Sequence, residues 1–173
     1  MASPARVRRS RGSGAAVEAA ASAAGMATLP GKSALHGDAR AAACAAPWDW
    51  SRSVDLDAGL RAFDPNAARW DAGLGLYRVD ASPEEMVIWV EPHPASSTGN
   101  VADVLHKLEW LKARLREPAF SGFRELTRVA LRHGPAYRWL ARTGAIRVRA
   151  GTREQRLLVK AGLGMPQRHL LLP

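Results

Sequence analysis

The chain predicts a mixed α/β domain, helices packed on a mixed β-sheet. Three observations point there: the run Met86-Val-Ile-Trp-Val90, an apolar stripe at helical spacing between Val101 and Leu115, and the Gly and Pro residues that separate such segments. A length of 173 residues with 47% apolar content fits one core.

The elements follow in order. Residues 1–47 read as a disordered tail: they hold 17 alanines, the arginines Arg6, Arg8, Arg9 and Arg11, and only Leu29 and Leu35 as large apolar side chains. Gly12, Gly14, Gly25, Pro30 and Gly31 interrupt any helix there, and no stripe offers a packing face. A secretory signal fails on Glu18 and on the weak hydrophobicity of alanine, while an Arg- and Ser-rich transit peptide matches in composition only. The stretch from Gly25 to Ser33 imitates a phosphate-binding loop, but it has five residues between its glycines where four are needed, and no strand leads into it. Met26 offers a second possible start.

The ordered domain is expected over 48–173, beginning at Trp48 and Trp50. A short helix over 54–63 would place Leu56, Leu60 and Phe63 on one face before Asp64-Pro65-Asn66 ends it. Residues 69–79 and 86–90 read as two strands of a hairpin turning over 80–84, with Gly73 and Gly75 marking a bulge or a close backbone approach. Pro92 and Pro94 stop the second strand, and Asn100 caps a long helix whose stripe is Val101, Val104, Leu105, Leu108, Leu111 and Leu115. A weaker helix over 120–132 ends at Gly134-Pro135, and residues 137–141 and 145–148 read as a second hairpin around Thr143-Gly144. Thr152 and Gln155 form a capping box, Gly162 and Gly164 end that helix, and 167–172 is a last strand. The predicted order is αβ-βα(α)-ββαβ.

Composition narrows the function classes. The lone Cys44 forms no internal disulfide and no thiolate cage, so a reducing, cytoplasmic setting is expected. No apolar run approaches the roughly 20 residues that span a bilayer. No Ser-His-Asp order, Cys-centred site or dinucleotide fingerprint appears. Charge is uneven: residues 1–47 carry six bases and two acids, 48–136 eleven bases and thirteen acids, and 137–173 eight bases and one acid. The basic end, with Arg138, Arg142, Arg147, Arg149, Arg153 and Arg156, predicts an anionic partner, nucleic acid above all, against the simpler alternative of a solvated Arg-rich surface.

Hairpin arithmetic with the turn near residue 82 pairs Asp71 with His93 and Gly73 with Glu91, so Asp71, Glu91 and His93 converge at one corner. Two carboxylates and an imidazole can hold a divalent cation or move protons, or else they are turn and strand-end residues bonding backbone. Carboxylates more than roughly 8 Å apart could not share an ion.

This arrangement resembles the PD-(D/E)XK restriction-endonuclease-like superfamily, whose core is αβββαβ with an Asp and a Glu-x-Lys on adjacent strands. The likeness covers residues 54–140. It implies a nucleic-acid-associated protein, an active or a degenerate nuclease, in which Asp71 and Glu91 bind magnesium or manganese and a lysine assists the attacking water. Glu91-Pro92-His93 stands where Glu-x-Lys is expected, so the lysine would be Lys107, migrated to the following helix, although its position off the apolar stripe makes solvated surface the default. Trp70-Asp71, Val90-Glu-Pro-His-Pro-Ala95 and Leu105-His-Lys-Leu-Glu-Trp-Leu-Lys112 are also similar to parts of a bacterial protein family with no assigned activity. The rival expectation is a non-enzymatic interaction module that meets a protein partner through Trp110, opposite the stripe, and the Arg-rich surface. Trp89 and Trp139 are expected in the core rather than as base-stacking platforms.

Overall fold

A computed structural model describes residues 14–80 and 84–173. The first strands are β1 (Leu29–Pro30), β3 (Trp48–Asp55), β4 (Ala72–Arg78), β5 (Glu85–His93) and β6 (Tyr137–Ala141), which form one sheet in the order β1-β3-β4-β5-β6. Its first four strands are antiparallel neighbours, and β6 joins β5 in parallel. A second, two-stranded parallel sheet pairs β2 (Ala42–Cys44) with β7 (Leu170–Leu172). The helices are α1 (Ala15–Ala23), α2 (Leu56–Leu60), α3 (Gly99–Arg114), α4 (Ser121–His133) and α5 (Arg153–Ala161), with 3₁₀ turns over Ser33–Ala41 and Pro118–Phe120. The mixed α/β class is therefore observed. Among the described residues no helix is long and apolar enough to cross a membrane.

The central strands carry the core. Leu74, Leu76, Met86, Val87, Ile88, Trp89 and Val90 are fully buried because both faces of the sheet are covered, which explains a continuous apolar run in place of alternation. Trp89 donates its indole N–H to Thr127 on α4 (2.8 Å) and meets Phe123 edge-on, so α4 seats on β5. Gly75 lies under the bulged part of β3, where a Cβ would come within 2.5 Å of Ser51 Oγ and 2.6 Å of the Arg52 carbonyl. The expected close approach is real, and the bulge itself lies in β3 between Trp50 and Ser53.

Several expectations change. Residues 14–47 are not a tail: α1 packs Val17, Ala20 and Ala21 into the core, Met26 is buried behind them, and Leu35 anchors the 3₁₀ turns. Small side chains that leave little hydrophobic surface also let helices approach closely, and a Cβ on Gly122 of α4 would sit 2.9 Å from Ala20 Cβ. Glu85 caps α1 from the sheet, accepting the Gly14 N–H (2.6 Å) and the Val17 N–H (3.3 Å). Residues 1–13 and the centre of the 80–84 turn lie outside the described residues.

Trp48 to Asp55 is a strand, which shortens the helix expected over 54–63 to α2 and leaves Phe63 exposed. Residues 145–148 form no strand, because β6 takes the open edge of β5 instead of folding back into a hairpin. The α3 stripe is buried as expected except that Leu105 is half-buried, and Asn100 accepts from the Ser97 N–H and hydroxyl instead of capping the helix. Thr152 does cap α5, with Gln155 returning a bond to the Gly151 N–H.

Candidate functional site

The β4–β5 register pairs Ala72 with Val90 and Gly73 with Trp89, two residues from the expected pairing. That shift carries Asp71, just before β4, to Glu91 instead of His93. The Asp71 N–H donates to Glu91 Oε2 (3.0 Å), so the two residues are neighbours across the strands. Glu91 is fully buried, and strand alternation turns His93 to the same face, where His93 Nδ1 stands 3.5 Å from Glu91 Oε1. His93 Nε2 lies 4.0 Å from Asp103 Oδ2 on α3, and the His93 carbonyl accepts the Trp139 indole N–H.

Lys107 completes the corner. From α3 its ammonium donates to Asp71 Oδ1 (3.2 Å) and makes a still shorter contact with Glu91 Oε1. It is half-buried rather than solvated surface, since α3 lays the flank of its stripe over the end of β5. Two carboxylate oxygens that touch one Nζ lie within the roughly 8 Å that sharing an ion requires.

The electrostatics are unbalanced. Burial, and then the Glu91 carboxylate beside it, push the Asp71 carboxyl from 3.8 up to about 6, although Lys107 pulls the other way. For Lys107, burial works against the ammonium, but Glu91 and Asp71 outweigh it and hold its pKa above the ordinary lysine value. Burial is the larger cause at Asp71, whereas the two carboxylates, acting against burial, are the cause at Lys107, where one ammonium faces both. The corner is short of one positive charge, which a proton or a metal cation would supply. Among the described residues no three or more His, Cys, Asp or Glu are gathered as a metal cage. An ion here would take two carboxylates and fill its shell with water or substrate oxygens, the habit of magnesium.

Asp71 also opens onto a cleft of about 240 Å³, lined as well by Pro92, His36, Asp38, Asp55 and Arg142. His36 Nε2 is bonded to Asp55 Oδ2 (2.7 Å), and Arg142 is paired with Asp38 (3.0 Å). The sequence reading missed His36 and Asp38 because they fall in the stretch taken for a tail. The signal that could have found them was Leu35, an apolar anchor beside them.

The six arginines divide. Arg142, Arg147, Arg149, Arg153 and Arg156 are exposed, whereas Arg138 is half-buried and bonded to Gln167. Backbone bonds from Arg142 N–H to the His93 carbonyl (3.2 Å) and from Arg147 N–H to the Ala95 carbonyl (2.9 Å) lay the basic segment beside the end of β5. Trp110 is not the exposed ring expected: it is half-buried, donates to Asp64 Oδ2 (3.1 Å) and lies under the Arg114 guanidinium. Trp89 and Trp139 are fully buried, so neither is a stacking platform.

Comparison of the chain with known protein families, curated proteins and solved structures finds no match.

Proposed function

We propose that this protein is a metal-dependent nuclease of the PD-(D/E)XK kind. Asp71 and Glu91 would hold magnesium or manganese, and Lys107 would take the place of the lysine beside the attacking water. The observation that carries the reading is the convergence of Asp71, Glu91 and Lys107 from β4, β5 and α3 on one charge-deficient corner.

The order of elements supports it. With β1, β2, the 3₁₀ turns and the short helix α2 set aside, helix α1, the antiparallel strands β3, β4 and β5, helices α3 and α4, and the parallel strand β6 follow the order αβββα(α)β, with the Asp just before β4 and the Glu on its neighbour β5. The lysine comes from the helix after the Glu strand, and His93 occupies the position two residues beyond the Glu. When bound, the ion would polarise a phosphoryl oxygen and lower the pKa of a water. Glu91, locked by the Asp71 N–H, would fix the geometry, and Asp71, the more exposed carboxylate, would face the cleft. Arg142, Arg147 and Arg149 would grip flanking phosphates, and a lone half-buried Cys44 suits a cytoplasmic setting.

The test is cleavage of single- and double-stranded DNA and RNA with magnesium or manganese, comparing the wild type with an Asp71→Ala, Glu91→Ala double variant. Metal-dependent cleavage lost in the double variant is the expected result. Cleavage that survives in the double variant, or none by the wild type on any of the four substrates, overturns the reading.

A further inference from the structure

We infer that His36 is a second catalytic residue of this site, a proton donor to the leaving oxygen of a phosphodiester, held in place by Asp55; the inference rests on the nuclease reading. Three observations carry it. His36 and Asp71 line the same cleft, though they lie on segments far apart in the chain. The imidazole is fixed from one side, Nε2 on Asp55 Oδ2 at 2.7 Å, which leaves Nδ1 of a largely exposed ring for a ligand. Asp55 is itself immobilised, because its other oxygen accepts the Ala58 N–H and caps α2 (2.8 Å). An imidazole oriented by a carboxylate with its second nitrogen open is the arrangement that proton transfer requires.

The third observation is the backbone. His36 has φ 49 and ψ −125, the one described non-glycine residue with positive φ, and it kinks the 3₁₀ turns in two. A β-carbon is disfavoured there, and Gly37 follows directly, so glycine could have occupied the kink one residue earlier at no steric cost. Strained residues concentrate where a side chain is needed in one place. Asp38, Arg142, Asp57 and Arg61 are the other charged groups lining the cleft besides Asp55 and Asp71; Arg142 pairs with Asp38, and Arg61 with Asp57. Those four charges are largely mutually compensated, whereas His36 keeps Nδ1 without a hydrogen-bond partner among the described residues.

The step balances without an oxidant or reductant. A water oxygen forms the new bond to phosphorus and loses its proton to solvent. The bond from phosphorus to the leaving oxygen breaks with its electron pair on that oxygen, and His36 Nδ1 delivers the proton it needs. Solvent then reprotonates the imidazole.

The experiment compares two substrates and two variants. Single-stranded DNA has an alkoxide leaving group that requires a proton, whereas a p-nitrophenyl phosphodiester releases a phenolate that does not. His36→Gly, which removes the ring and relieves the backbone, and His36→Gln are each assayed on both with manganese, and thermal unfolding is recorded. The expected result is at least about a hundredfold loss on DNA, little or no loss on the p-nitrophenyl ester, and a Tm for His36→Gly equal to or above that of the wild type. Equal losses on both substrates, or no loss on DNA, overturn the role of His36 while leaving the nuclease reading intact. Failure of the wild type to cleave single-stranded DNA overturns this inference, and failure on all four nucleic-acid substrates overturns the nuclease reading with it.

Discussion

At the scale of single residues, the charge deficit at Asp71, Glu91 and Lys107 decides most of what can be measured. Glu91 is wholly buried and leans on Lys107, so Lys107→Met strands a carboxylate in the interior. The expected cost is about 3 kcal/mol in chemical denaturation, largely recovered in the Lys107→Met, Glu91→Gln double variant, whose amide can still accept the Asp71 N–H. Asp71 titrates in the opposite sense from a stabilising ion pair. Its folded pKa of about 6 lies above the unfolded 3.8, so between those values the folded state holds more protons and stability falls as pH rises. Above pH 6 the loss is complete; discounted for partial exposure, it is about 2 kcal/mol at most. Asp71→Asn is therefore expected to raise Tm at pH 7.5 and to leave it nearly unchanged at pH 3.5, which a Tm series across pH checks directly. Asp71 and Glu91 were legible as a pair because strand arithmetic brings their segments together. Lys107 was legible only as a fallback, since helical phase sets it off the stripe and nothing local says that this flank is covered.

At the scale of elements, the long α3 stripe and the β4–β5 hairpin were readable because periodicity and β-branched composition act within one segment. Helix α1 was not, because its buried face is Val17 with two alanines, and its stability comes from the fit against Gly122 and the cap from Glu85. A seam built on small residues gains by close contact rather than by apolar area, so hydropathy does not register it. Gly122→Val puts two methyl groups where Ala20 already sits and is expected to cost about 1–3 kcal/mol in denaturant unfolding, with Gly122→Ala falling between it and the wild type. The misread strand at 145–148 has a related cause: local turn chemistry favoured a hairpin, but β5 had an open edge, and β6 satisfied its backbone there.

At the scale of the whole molecule, eight bases and one acid in residues 137–173 set a positive field, and the fold lays part of that segment beside the end of β5. If Arg147 and Arg149 contact phosphates, then replacing both by alanine reduces the salt dependence of nucleic-acid affinity, the slope of log K against log salt, by about 2. Equilibrium binding of a single-stranded oligonucleotide at several salt concentrations, without divalent metal, measures that slope; an unchanged slope removes these two residues from the interface. The sequence by itself determined the α/β class, the central hairpin, the long amphipathic helix and the separation of an acidic middle from a basic end, because each depends on local periodicity or on a sum of charges. Tertiary structure alone decided that the alanine-rich segment belongs to the core, that the register brings Asp71 to Glu91 instead of His93, that Lys107 closes the corner, and that His36 shares its cleft. Those outcomes depend on which surfaces meet, and burial, shape fit and the deficit of charge exist only once distant segments are in contact.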